Sequence, residues 1–138
     1  MRNPISITQM IKKPVEQVWS YYNDPGHIVK WNQASIDWHT VSAENNLTAG
    51  GRFNYRMEAK DGSFGFNFEG TYEKVENLHQ IDYVLDDNRH VSVTFSKKDM
   101  YTKITVIFEP EAENDPMFQE QGWLAILTSF KNYAENQK

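Results

Sequence analysis

The sequence predicts an α+β fold in which one long carboxy-terminal helix lies across a curled antiparallel sheet. Three observations carry that prediction. Between residues 36 and 109, apolar or aromatic side chains alternate with polar ones in short runs separated by turn residues, the period-two signature of half-buried strands. Sustained helical spacing comes only after Asp115-Pro116, where Trp123, Leu127, Phe130 and Ala134 share one face and Met117, Gln121, Leu124 and Thr128 an adjoining one. An amphipathic helix needs a partner for its apolar stripe, and the sheet is the one large partner available. A chain of 138 residues suits a single domain, residues 1–138, with one core.

Ile5, Ile7 and Ile11 share a parity in a β-branched stretch, which predicts a first strand ending at Lys13-Pro14. Pro14 suits the first turn of a helix, and Val15, Val18, Trp19 and Tyr22 repeat at helical spacing to about Tyr22. Asp24 as N-cap and Pro25 at the first helical position open a second short helix to about Trp31. A strand over Ile36 to Ala43 follows, then the pair Gly50-Gly51, which marks backbone torsions that side chains disfavour. Phe53, Tyr55 and Met57 form the next alternating run, and Lys60-Asp61-Gly62-Ser63 turns it into Phe66, Phe68, Gly70 and Tyr72. Gly70 breaks the aromatic row and predicts a bend or the close packing of another element. Ile81/Tyr83/Leu85, Val91/Val93/Phe95 and Ile104/Val106/Phe108 are the remaining strands, giving a six-strand meander and about seven strands in all.

Composition excludes several function classes. The net charge is -5, with 14 basic and 19 acidic residues, and no cluster of Lys and Arg stands ready to neutralise phosphates, so nucleic acid is not an expected partner. The chain has no cysteine, which removes disulfides, thiolate metal sites and a cysteine nucleophile together and is compatible with a reducing cytoplasm. No apolar run has the length of a signal peptide or a membrane span, so a cytoplasmic protein without membrane insertion is expected. His27, His79 and His90 show no ligand spacing, and no phosphate-binding loop or nucleophile elbow is present, so neither a metal nor a cofactor is expected.

The element order resembles the helix-grip, START-like (SRPBCC) superfamily of lipid-transfer domains and the birch pollen allergen. The local wording is nearer still to one branch. Val18-Trp19 after Pro14, Asp24-Pro25 before Trp31, Leu47 leading to Gly50-Gly51-Arg52-Phe53, the segment Gly70-Thr71-Tyr72-Glu73-Lys74-Val75, Thr94-Phe95, and Gly122-Trp123 leading to Leu127, Phe130 and Tyr133 carry the likeness. Together, from about Ile5 to Tyr133, they resemble the family of the carboxy-terminal domain of the activator of the heat-shock-protein-ninety ATPase. The chain departs from that pattern at Asn46 and Thr48, where relatives commonly carry an acidic residue and an arginine. It also reads as a free-standing domain, without the additional amino-terminal domain of the eukaryotic co-chaperones. The resemblance implies a deep cavity between sheet and helix, reached near the short helices, and no single activity.

The aromatic rows converge if they face the concave side. The candidate cavity residues are Trp31, Trp38, Tyr55, Met57, Phe66, Phe68, Tyr83, Phe95, Leu124 and Thr128, with Trp123 and Leu127 assigned mainly to helix docking. Trp31 and Trp38 either gate the mouth or cap the open end of the core. Asp37 and His39 share a strand face about 7 Å apart. Facing inward, His39 would be a general base or polar anchor; facing outward, it is a solvent residue and Trp38 is the inward side chain, as the shared parity of Ile36 and Trp38 favours. The expected function is binding of a small hydrophobic molecule by a monomer or homodimer. The rival readings are a cyclase- or hydrolase-like enzyme using His39 or a tyrosine hydroxyl, and a co-chaperone-like module with a chaperone as partner.

Overall fold

The computed structural model describes all 138 residues. Its elements run β1 (Ile5–Ile11), α1 (Val15–Asn23), α2 (Pro25–Trp31), β2 (Trp38–Asn45), β3 (Arg52–Ala59), β4 (Gly65–Glu76), β5 (Gln80–Leu85), β6 (His90–Lys98), β7 (Tyr101–Phe108) and α3 (Pro116–Glu135). The seven strands form one antiparallel sheet in the order β1-β7-β6-β5-β4-β3-β2. β2 to β7 are therefore a meander, and β1 closes on the outer edge of β7 with Ile7 opposite Val106. The short helices carry the chain from the β1 edge to the β2 edge. The sheet curls into a half-barrel around α3, the helix-grip architecture.

Local chemistry sets the helix starts. The Asp24 carboxylate accepts from the Gly26 N–H at 2.9 Å and the Asp115 carboxylate from the Met117 N–H at 2.8 Å, each just before a proline that has no N–H to satisfy. α1 differs. Pro14 stands at its N-cap and offers no side-chain cap; its carbonyl accepts from the Gln17 and Val18 N–H groups at 3.1 and 3.0 Å.

β2 moves at both ends. It begins at Trp38 rather than Ile36, because residues 34–37 turn the chain from α2 into the sheet and leave Ile36 85% exposed, and it continues past Ala43 to Asn45, which still pairs with Phe53. The β2–β3 register slips between Thr40 and Ser42, so Val41 is an extra, exposed residue on the edge strand.

Two sets of rings fill the concave side. Phe53 is the hub of the first, with Tyr83, Tyr72, Tyr55 and Phe68 at centroid distances of 4.9, 5.2, 5.3 and 5.8 Å. In the second, α1, α2 and α3 meet the sheet: Trp19 and Tyr22 pack on Phe95 at 5.0 and 5.3 Å, and Trp31 packs on Phe130 at 4.9 Å. α3 buries Leu127, Phe130 and Ala134, and its Trp123 lies flat on Phe108, centroids 4.2 Å apart. Along β1, the helix is tied by Gln9 donating to the Thr128 hydroxyl at 2.9 Å and by the Lys12 N–H donating to Glu135 at 2.9 Å.

Two glycine sites are required by the backbone. Gly50 has φ +84°, and a Cβ on neighbouring Gly51 would lie 2.2 Å from the Asn46 carbonyl oxygen. At Gly70 a Cβ would lie 2.4 Å from the Val84 carbonyl oxygen and 3.1 Å from the Phe53 ring. The gap in the aromatic row is where β5 and Phe53 close in, and the β4–β5 register slips just beyond, between Tyr72 and Lys74. Gly70→Ala is expected to destabilise the fold by about 1–3 kcal/mol, the usual cost of overpacking; the unfolding midpoint in denaturant measures it.

Candidate functional site

The two ring sets do not close on each other. Between them lies a cavity of about 250 Å³, lined by 19 residues of which 16 are hydrophobic or aromatic. β3, β4 and β5 supply Phe53, Tyr55, Met57, Phe68, Tyr72 and Tyr83, and the helices supply Tyr22, Trp31, Trp123 and Leu127. The strand residues reach it by parity. Phe53, Tyr55 and Met57 pair with Gly70, Phe68 and Phe66, so one face of this hairpin is a continuous apolar panel. Tyr22 and Tyr55 are only half-buried because part of their surface faces this void.

Three polar residues complete the lining: Asn23, Asn32 and Arg89. Asn23 and Asn32 hold the chain together, their amide nitrogens donating to the Trp19 carbonyl at 3.0 Å and the Thr40 hydroxyl at 3.2 Å. The Tyr72 hydroxyl donates to Asn45 Oδ1 at 2.6 Å, and Asn45 donates in turn to the Asn23 carbonyl at 2.8 Å. The hydroxyls of Tyr22 and Tyr83 make no hydrogen bond within the protein, yet neither is sealed in by packing. They are available to a guest.

Burial is the main cause of every tyrosine shift in the wall. It pushes the Tyr72 phenol up to about 12 and raises those of Tyr22, Tyr55 and Tyr83, with the neighbouring tyrosines adding to the last three. At neutral pH these groups are uncharged hydrogen-bond donors and acceptors. No histidine and no carboxylate lines the cavity.

Of the residues singled out from the sequence, the structure brings Trp31, Tyr55, Met57, Phe66, Phe68 and Tyr83 together on the cavity wall. Trp31 faces the void while its indole N–H donates to the Tyr21 carbonyl at 2.9 Å. The others lie elsewhere. Trp38 keeps the inward parity but packs at the sheet corner on Phe66 and Phe64, at 5.8 and 6.1 Å. Phe95 is buried one step too far along β6, under Trp19 and Tyr22. Leu124 and Thr128 face an outer groove with Ile36 and Asn132. The side of α3 that meets the void is instead Trp123, Ile126 and Leu127, so the docking residues and the lining residues exchange roles. A helix turns about 100° per residue, so Leu124 and Thr128, one position on from Trp123 and Leu127, are carried away from the void and toward residues 33–36 between α2 and β2. His39 sits on the convex face, opposite Glu58, which removes it as a base for anything in the cavity.

Sequence reasoning passed over Tyr22, Asn32 and Arg89. Arg89 carried a usable signal: it continues the odd-numbered inward parity of Val91 and Val93 one step beyond β6.

The comparisons agree with this architecture. The family model described as "Activator of Hsp90 ATPase homolog 1-like protein" matches residues 12–135. The solution structure of an AHSA1-like protein from Aeromonas hydrophila is 43% identical, with 96% of this chain and 92% of that one covered and a TM-score of 0.91. The solution structure of a protein from Cytophaga hutchinsonii is 44% identical, covering 97% and 93%, with a TM-score of 0.85. A Nitrosomonas europaea protein shares the fold at 16% identity, with 98% and 96% covered and a TM-score of 0.83. Among curated proteins none matches. With its curled sheet and gripping helix, the molecule is a START-like domain. Within that class, the chain belongs to the family of AHSA1-like proteins.

Folding stability should fall as pH rises above about 10, because the unfolded chain then releases phenol protons that the folded wall retains; for Tyr72 that loss continues to about 12. Spectrophotometric titration followed alongside circular dichroism checks this: phenolate absorbance from the four wall tyrosines is expected to appear together with unfolding.

Proposed function

We propose that this chain binds a small, largely apolar molecule in the cavity between α3 and the concave face of the sheet. One observation carries the reading: an apolar, ring-lined void of about 250 Å³ that holds unpaired tyrosine hydroxyls. Unfilled apolar space forfeits dispersion contacts, and an apolar guest recovers them. The volume lies just under the usual range of about 300–1,000 Å³ for ligand pockets, which favours a compact guest. At about 30 Å³ per water-sized group, it has room for on the order of ten non-hydrogen atoms. The neutral phenols suit orientation of a guest by one or two hydrogen bonds. The lack of a histidine or carboxylate in the wall supports binding over acid–base chemistry there.

Titration with compact aromatic probes tests the proposal. Chemical-shift changes are expected to concentrate at Tyr55, Phe68 and Tyr83, and unperturbed signals across that panel would reject it. Ile126→Phe, which extends a wall residue into the void, is expected to weaken binding at least about tenfold while stabilising the fold by about 0.5–2 kcal/mol. Calorimetry and thermal unfolding read the two effects.

The family description supports a second reading, in which the domain acts on a chaperone ATPase. The exposed rings of Phe64 and Phe118, 65% and 69% accessible, are the side chains such a contact would use. Measuring chaperone ATPase rates with and without the protein decides it, and unchanged rates eliminate it.

A further inference from the structure

Arg89 is the one charged residue in the wall of the cavity, and the geometry points to its role: it anchors the anionic head of the guest, which makes the ligand class a compact aromatic or alicyclic carboxylate. This inference rests on the binding function proposed above and narrows it.

The sheet register locates the site. Gly70 pairs with Leu85, so β3 and β4 run on past the end of β5, and the β5–β6 turn lies at the same end as the beginning of β4. Val91 pairs with Phe108, on which Trp123 is stacked, so the amino-terminal half of α3 is at that end too. Arg89 thus stands at one end of the void, with Tyr83, Phe68 and Trp123 among the wall residues toward that end.

Its side chain is three-quarters covered, whereas that of Asp87 is 55% exposed. Asp87 Oδ2 accepts from Arg89 Nε at 2.8 Å, and the Arg89 carbonyl accepts from the Leu85 N–H at 2.8 Å, which closes the turn. The carboxylate therefore fixes the guanidinium by one edge only. The two Nη groups make no hydrogen bond within the protein. Both Nη groups keep accessible surface, so four N–H bonds stand without a protein partner on a side chain that is otherwise mostly covered and lies among apolar rings. The free end matches the two oxygens of a carboxylate in a bidentate arrangement.

The other arginines toward this end are committed elsewhere. Arg52 pairs with Asp86 at 2.8 Å and Glu69 at 3.3 Å, and Arg56 with Glu58 at 3.0 Å; neither lines the cavity. An acid in the void thus has within the same wall a guanidinium whose Nη edge is unpaired, the unbonded hydroxyl of Tyr83 and a set of aromatic rings. A volume of about 250 Å³ suits a compact acid better than an acyl chain of lipid length.

The test compares phenylpropanoate with phenylpropanamide, which share size and rings and differ in charge, by isothermal titration. The wild-type protein is expected to bind the carboxylate at least about tenfold more tightly, the usual return on hydrogen bonds to a charged group. Arg89→Gln should bring the carboxylate-to-amide affinity ratio down to about one, and Arg89→Lys should keep part of the preference. Equal binding of the two probes, or a preference that survives Arg89→Gln, overturns the anchor and leaves the cavity reading standing, as does binding of naphthalene alone. If none of the three compounds binds, both readings fall. Should Arg89→Gln not fold, the wild-type comparison and Arg89→Lys still decide.

Discussion

Docking of α3 along one side of the half-barrel is the constraint on which the rest of the molecule depends. The helix is tied to β1 by Gln9–Thr128 and Lys12–Glu135 and to the end of β7 by the Trp123–Phe108 stack, while Leu127 and Phe130 fill the space beneath. A helix is about 10–12 Å across with its side chains and spans only part of a seven-strand sheet. β3, β4 and β5 therefore reach the helix only at points such as Phe68–Trp123, with centroids 6.0 Å apart. The remaining distance is cavity.

Curvature is what keeps that distance from being either solvent or solid core. Gly70 lets β5 and the Phe53 ring approach the backbone of β4, and the slips after Tyr72 and Thr40 add local twist. The hairpin of β3 and β4 swings back over the concave side and turns the Tyr55–Phe68 panel toward the helices. Polar atoms along the void then divide by function. Asn23, Asn32, Asn45 and Tyr72 are spent on one another and on the backbone, fastening the short helices to β2. Tyr22, Tyr83 and Arg89 keep hydrogen-bonding capacity in reserve.

Much of this was legible in the sequence, because period-two alternation with large rings leaves little freedom in which face is buried. The meander, the long helix and both aspartate–proline starts could be read directly. Ile36 could not, since an isoleucine two residues before an edge strand looks like strand on parity alone while the turn leaves it in water. Parity also fails to say how far along a strand the void extends: Tyr83 and Phe95 obey the same rule, yet Phe95 lies under α1. Helical spacing defines the stripe of α3 but not its rotation about the helix axis: spacing alone puts Leu124 and Thr128 inside, whereas Trp123 and Leu127 face the void. Arg89 keeps the inward parity of β6, but it sits in a turn, where charge is ordinarily a sign of solvent and outweighs that signal.

The extra residue in β2 has a consequence for how these molecules behave at high concentration. β2 is the outermost strand on its side, and an uninterrupted border of main-chain amides and carbonyls is a template on which a second chain can continue the ladder. The kink at Val41 breaks the spacing of that border midway, so an incoming segment finds matching partners over only a few residues. The same irregularity that helps shape the interior thus guards the rim against self-association into fibrils.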